Sequence, residues 1–99
     1  MSHITWVSIH IVLALHEKHL AIFGGKSGLR DQSLLEEALA RPMNISLYNE
    51  SDIDLACIAA AYAFGITKNH PFFDGNKRTS LLVCELFLEL NSYQIQATE

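Results

Sequence analysis

Two stretches of this 99-residue chain, Leu55 to Phe64 and Leu81 to Leu90, are apolar on most faces of a helix. A helix with almost no polar face must be covered on all sides. In so short a chain that demand fixes much of the architecture: the two segments pair at the centre and the rest wraps around them. Thr5 to Phe23 carries Ile9, Val12, Leu13, His16, Leu20 and Phe23 at steps of three or four, which predicts an amphipathic helix. Gly24-Gly25-Lys26-Ser27-Gly28 ends it in a turn-rich loop. Ser33-Leu34-Leu35-Glu36 matches a capping box, and Arg41-Pro42 is expected to close a short second helix.

Met43 to Ser51 alternates polar and apolar residues and reads as a short extended flap. A third helix is expected from about Asp52 to Asn69, stopped by His70-Pro71, and a fourth from about Asn76 to Asn91. The expected fold is therefore all-α, a single domain over residues 1–99 with no linker, repeat or low-complexity segment. Two helices hardly suffice to cover two others that are apolar nearly all round. The pattern implies further cover, from helices beyond Glu99, a partner protein or a second copy of the chain.

Composition narrows the class. With 49% hydrophobic residues the chain can form a real core. No unbroken apolar run approaches the ~18–20 residues of a membrane span. The N-terminal MSHITW lacks the basic and apolar regions of a secretory signal, so the expected location is cytoplasmic. Cys57 and Cys84 sit in apolar helical text without metal-like spacing and read as two buried free thiols. A formal net charge of −4 argues against broad nucleic-acid binding, which needs a basic face.

The chemistry is concentrated in His70-Pro71-Phe72-Phe73-Asp74-Gly75-Asn76-Lys77-Arg78-Thr79. Gly75 can take positive φ and turn successive amides inward as an anion nest. The free N–H groups and positive dipole end of the following helix point to the same spot. Asn76 can hydrogen-bond a phosphate oxygen through its side chain, while Lys77 and Arg78 supply charge and a fork. Asp74 would repel a bare phosphate but makes sense as a ligand of Mg²⁺ bridging phosphate oxygens. His70, on the other side of the turn, can take a proton from an attacking hydroxyl. Phe72 is the natural anchor of the loop in the core. Taken singly, His70 is a helix cap, Asp74-Gly75-Asn76 an ordinary turn, and Lys77 and Arg78 a solvated face. Their conjunction within ten residues outweighs those readings. A metal site on His16 and His19, spaced i, i+3, lacks a third ligand, and a core or helix-face role is favoured.

The stretch HPFFDGNKRT is very similar to the Fic/Doc motif H-x-F-x-[D/E]-G-N-[G/K]-R-x-x-R. Upstream, Leu15-His16-Glu17, Gly24-Gly25 and GLRDQSLLEEALARP resemble the front half of the Doc (death-on-curing) branch, so the likeness runs from about residue 10 to 95. It implies a helical fold with the motif loop between two central helices, and nucleotide-dependent modification of a protein hydroxyl. By position, His70 would be the general base and Asp74 the Mg²⁺ ligand. Gly75, Asn76, Lys77 and Arg78 would cradle the phosphates of ATP, and residues 43–51 would be the flap docking the target.

Two departures from the Fic form matter. Lys77 replaces its second glycine, and Leu81 stands where its terminal Arg would be. Both are typical of the Doc branch, where transfer of the γ-phosphoryl group rather than AMP is implied. The implied target type is a threonine of elongation factor Tu, whose modification halts translation. The family's inhibitory pattern [S/T]-x-x-x-E-[G/N] is not met by Ser33–Glu37–Ala38 or Ser46–Glu50–Ser51, which implies restraint by a separate antitoxin. Doc-like chains usually continue past this endpoint with a further helical segment, so the resemblance implies a domain over residues 1–99 that can lack that segment. Three readings stay open: a kinase toxin, a nucleotidyl transferase on the same scaffold, and a non-catalytic binding module.

Overall fold

Helical periodicity is realised almost throughout the computed structural model of the chain, which describes residues 4–48 and 54–97. Its elements are α1 (Ile9–Phe23), α2 (Gln32–Tyr48), α3 (Leu55–Asn69) and α4 (Asn76–Ala97). Among the described residues there is no strand, only an isolated antiparallel bridge between Leu29 and Phe72. The fold is all-α, as the pattern predicts. No helix among the described residues is long and apolar enough to cross a membrane.

The helix ends follow capping chemistry, with some differences from the sequence reading. Ser8 caps α1 by accepting from Ile11 N, so the helix begins at Ile9 rather than Thr5. The residues before it are tied down instead: Thr5 N donates to Asn91 Oδ1 at 2.8 Å and Val7 N to Tyr62 Oη at 3.0 Å. For α2 the expected box at Ser33 and Glu36 gives way to Asp31. Its Oδ1 accepts from Ser33 N at 3.0 Å and Leu34 N at 3.3 Å. An aspartate two residues upstream reaches the orphan amides better than a hydroxyl already inside the helix. Asp54 caps α3 through Ala56 N.

Pro42 does not close α2, which runs on to Tyr48. Proline removes one N–H and crowds the carbonyl four residues back, that of Ala38. That carbonyl faces Gly65 of α3, where an added Cβ would lie only 3.2 Å from Ala38 O. Bare backbone therefore meets bare backbone at this crossing, and the released carbonyl is covered by the neighbouring helix.

The expected extended flap over 43–51 is thus corrected for residues 43–48, which are helical. Residues 49–51 lie outside the described residues. The α2–α3 pair is antiparallel, with Asn69 Nδ2 donating to Leu34 O and Gly65 against Ala38. Residues 43–48 therefore sit near the start of α3, about 20 Å along the helix axis from the loop that follows Asn69.

Helix α3 is central, packing on both α2 and α4, while α1 lies chiefly on α4. The core joins Val12, Leu35, Ile58, Tyr62, Ile66, Phe72, Val83 and Phe87. Neither apolar helix is covered on every face. Phe64 of α3 and Leu81 of α4 remain 55% and 53% exposed. Cys57 lies on the open side of α3 and Cys84 is half-buried, so the expectation of two buried thiols fails, although both are free.

Candidate active site

A chain leaving α3 must reverse direction to start α4, and His70 makes that turn. It takes a left-handed conformation (φ 55°, ψ 54°) as the C-cap, its N–H bonded to Ile66 O at 3.0 Å. Such a φ in a non-glycine residue needs outside support. Arg30 supplies it, donating from Nε to His70 O at 2.8 Å and from Nη2 to Asn69 O at 3.1 Å. The α1–α2 loop then runs beside the motif. Arg30 N and Asp31 N both donate to Pro71 O, and Phe73 N donates to Gly28 O.

Phe72 is buried at 1% exposure, as its role of anchor requires. His16 of α1 stacks on it with ring centroids 3.7 Å apart and 11° between planes. From the same ring, Nε2 donates to Asp74 O at 2.8 Å. His16 therefore pins the loop at two points and is not paired with His19 toward a metal. Asp74 also serves the backbone: Oδ1 accepts from Gly75 N at 3.0 Å and Oδ2 from Lys26 N at 3.1 Å.

Asn76 departs from its expected part. Its side chain is buried, and Oδ1 accepts from Phe72 N at 2.9 Å. Nδ2 donates to Phe72 O at 2.8 Å and approaches His70 Nδ1 at 3.1 Å. Its side chain therefore clasps the loop instead of facing a phosphate, and only its backbone amide is left for that task. An amide nitrogen can only donate, so His70 Nδ1 accepts and the neutral ring carries its proton on Nε2.

Gly75 has φ 74° and its carbonyl accepts Thr79 N, which makes it the N-cap of α4. Having no side chain, it leaves the first-turn amides open, and these have no acceptor within the helix. A cavity of about 490 Å³ opens there, lined by His19, Phe23, Gly75, Asn76, Lys77, Arg78 and Leu81. The Arg78 guanidinium lies over the Phe23 ring, 4.4 Å from its centroid. His70 and Asp74 are not among the lining residues. The structure therefore groups Gly75, Asn76, Lys77 and Arg78 around one hollow, with His70 held to its floor through Asn76 and Asp74 joined to it through Gly75.

Sequence reasoning missed three contributors. His16 and His19 merge into an apolar stripe when α1 is read alone. Arg30 looks like a loop cation two residues beyond the Gly-rich segment, and no local signal marks it. His19 is 7% exposed, and its pKa is lowered by burial first, then by Arg78 and His16, with Asp74 opposing.

Comparison with known proteins gives the family of the chain. The Fic/DOC family profile matches residues 6–88. Protein kinase doc of Escherichia phage P1 is 33% identical over 89 residues, covering 90% of this chain and 70% of that protein. Toxin Doc of Mycolicibacterium smegmatis is 37% identical over 75 residues, covering 76% of this chain and 58% of that toxin. A profile match that spans α1 through most of α4, joined by relatives of this likeness, shows that the chain belongs to the Fic/DOC family, on its Doc branch.

Proposed function

We propose that this chain is one Fic/Doc domain acting as a Doc-type toxin. It would transfer the γ-phosphoryl group of ATP to a Ser or Thr hydroxyl of a protein, with elongation factor Tu the first target to try, and so arrest translation. The observation that carries this reading is the open N-terminus of α4, where Gly75 φ 74°, Lys77 and Arg78 border a hollow of about 490 Å³. That volume suits a nucleotide-sized ligand. The phage relative is a protein kinase by name, which favours the γ-phosphoryl group as the one that moves.

In the reaction the target hydroxyl oxygen forms a bond to the γ phosphorus, the bond from that phosphorus to the β–γ bridging oxygen breaks, and ADP leaves. His70 takes the hydroxyl proton. The neutral ring has its lone pair on Nδ1, so the hydroxyl must replace the Asn76 amide there or the ring must turn. The α4 amides, Lys77 and Arg78 stabilise charge on the phosphoryl oxygens. Among the described residues no group of three or more His, Cys, Asp or Glu could hold a metal by itself. Mg²⁺ bound through nucleotide phosphates needs only one or two carboxylates. Exposed Asp74 fits, since each carboxylate oxygen accepts one amide and keeps a lone pair. When bound, the ion would neutralise phosphate charge.

A separate antitoxin would restrain the site, and the exposed Phe64, Leu81 and Leu88 offer it apolar surface. The same surface would serve a second copy in a homo-oligomer. The test is transfer to purified elongation factor Tu with Mg²⁺ and ATP labelled at the γ or the α phosphate. Label from γ is expected, with His70→Ala slower by roughly 10²–10⁴-fold and still folded. Label from α would replace the kinase with a nucleotidyl transferase. No label on this target would remove elongation factor Tu from the reading.

A further inference from the structure

We propose that His19 is a ligand-contact residue whose imidazole donates a hydrogen bond to a phosphoryl oxygen held at the N-terminus of α4. The inference rests on the nucleotide reading of this hollow and adds a residue that the motif does not contain.

His19 lies on α1, remote in sequence from the loop, and is 7% exposed. Neither Nδ1 nor Nε2 has a hydrogen-bond partner. Buried polar side chains are nearly always paired, and an unpaired one is costly. A site that needed only bulk here would be better filled by leucine or phenylalanine. The contrast with His16, one turn away, is sharp, since that ring spends its Nε2 on Asp74 O.

The His19 ring is held in place with both nitrogens covered, so a ligand contact requires the ring to turn toward the hollow it lines. A methyl group built on Gly75 would sit 3.3 Å from its Cε1 and Nδ1, so that edge of the imidazole rests against the N-cap of α4. Phe23 holds the other side, with ring centroids 5.0 Å apart and planes tilted by 33°. His19 shares the hollow with Lys77, Arg78 and the open α4 amides. The Asn76 and Gly75 acceptors there are already bonded, to Phe72 N and Thr79 N, which leaves Lys77, Arg78 and the open α4 amides to meet an oxyanion.

The charged surroundings agree with a neutral donor. Burial, Arg78 and His16 disfavour the protonated ring, with Asp74 opposing them. A neutral imidazole still has one N–H to give, and an anion entering beside Arg78 supplies the acceptor that the ring lacks.

The experiment measures binding of Mg·ATP and of inorganic tripolyphosphate to the wild type, His19→Phe and His19→Gln by calorimetry. Phenylalanine keeps the ring packing and loses the donor, whereas glutamine keeps a donor. Expected are wild-type binding, a loss of at least about tenfold for both ligands in His19→Phe, and a loss within about threefold in His19→Gln. Equal affinity of wild type and His19→Phe would overturn the assignment while leaving the nucleotide reading intact. A loss for ATP without one for tripolyphosphate would overturn the phosphoryl contact. Absence of ATP binding by the folded wild type would instead sink the functional reading on which this inference rests. Should His19→Phe fail to fold, the ring ¹⁵N resonances of wild-type His19 decide: they move on adding tripolyphosphate, and static resonances at saturation would refute the contact.

Discussion

Asn76 makes three side-chain hydrogen bonds from a position where a phosphate contact was expected. Two of them satisfy both main-chain polar groups of buried Phe72, and the third fixes the His70 ring. Asn76→Ala therefore leaves a buried donor and acceptor unmet, at about 1–3 kcal/mol each. The expected result is a fall in the thermal midpoint of roughly 10 °C or more, together with lost transfer activity. An unchanged melting curve would mean that the clasp is dispensable. Aspartate at the same position keeps the acceptor toward Phe72 N and loses both donations, which makes it a finer probe of the His70 tautomer.

At the scale of the element, the α2–α3 crossing and the start of α2 carry the information. Alanine in place of a helical glycine ordinarily stabilises by about 1 kcal/mol. At Gly65 the sign should reverse, because the new Cβ would lie 3.2–3.3 Å from the backbone of Ala38. Gly65→Ala is expected to lose about 1–3 kcal/mol in a urea titration, and a gain would show that the helices can part without penalty. Asp31 poses a pH question. Bonds from Ser33 Oγ and from the Leu34 and Ser33 amides hold its pKa below the ordinary 3.8. A depressed carboxylate contributes stability that is complete above 3.8 and fades as pH falls through the folded value. The stability gap between wild type and Asp31→Ala should therefore be constant near neutrality and shrink below pH 3.8. A gap independent of pH would place the effect elsewhere.

Across the whole molecule, the N-terminal residues form a strap that ties distant elements together. Thr5 bonds Asn91 of α4 through both its N–H and its C=O, and Val7 N bonds Tyr62 of α3. Asn91 also bonds Phe87 O, so it sits at the junction of strap and helix. Asn91→Ala removes these bonds, and at about 1 kcal/mol each the loss should be about 2–3 kcal/mol. Amide exchange at Thr5 and Val7 should quicken well before that of Phe72 in the motif loop and Thr79 in the first turn of α4. Uniform acceleration would mean that strap and loop open as one unit.

The sequence by itself determined the all-α class, the order of the helices, the placing of the motif loop and the burial of Phe72. Apolar spacing and turn residues are local signals, and the motif is contiguous, so each can be read without knowing what packs where. Only the tertiary structure decided the rest. Pro42 lies inside α2, where the Ala38 carbonyl it crowds faces Gly65 of α3. Cys57 is exposed because packing among the described helices leaves its side of α3 open. Asn76 is a clasp because its buried neighbours are main-chain groups with no other acceptor or donor. His16, His19 and Arg30 acquire their parts from contacts 40 to 58 residues away. Helical spacing assigns a residue to a face, but what that face meets is settled by packing between elements.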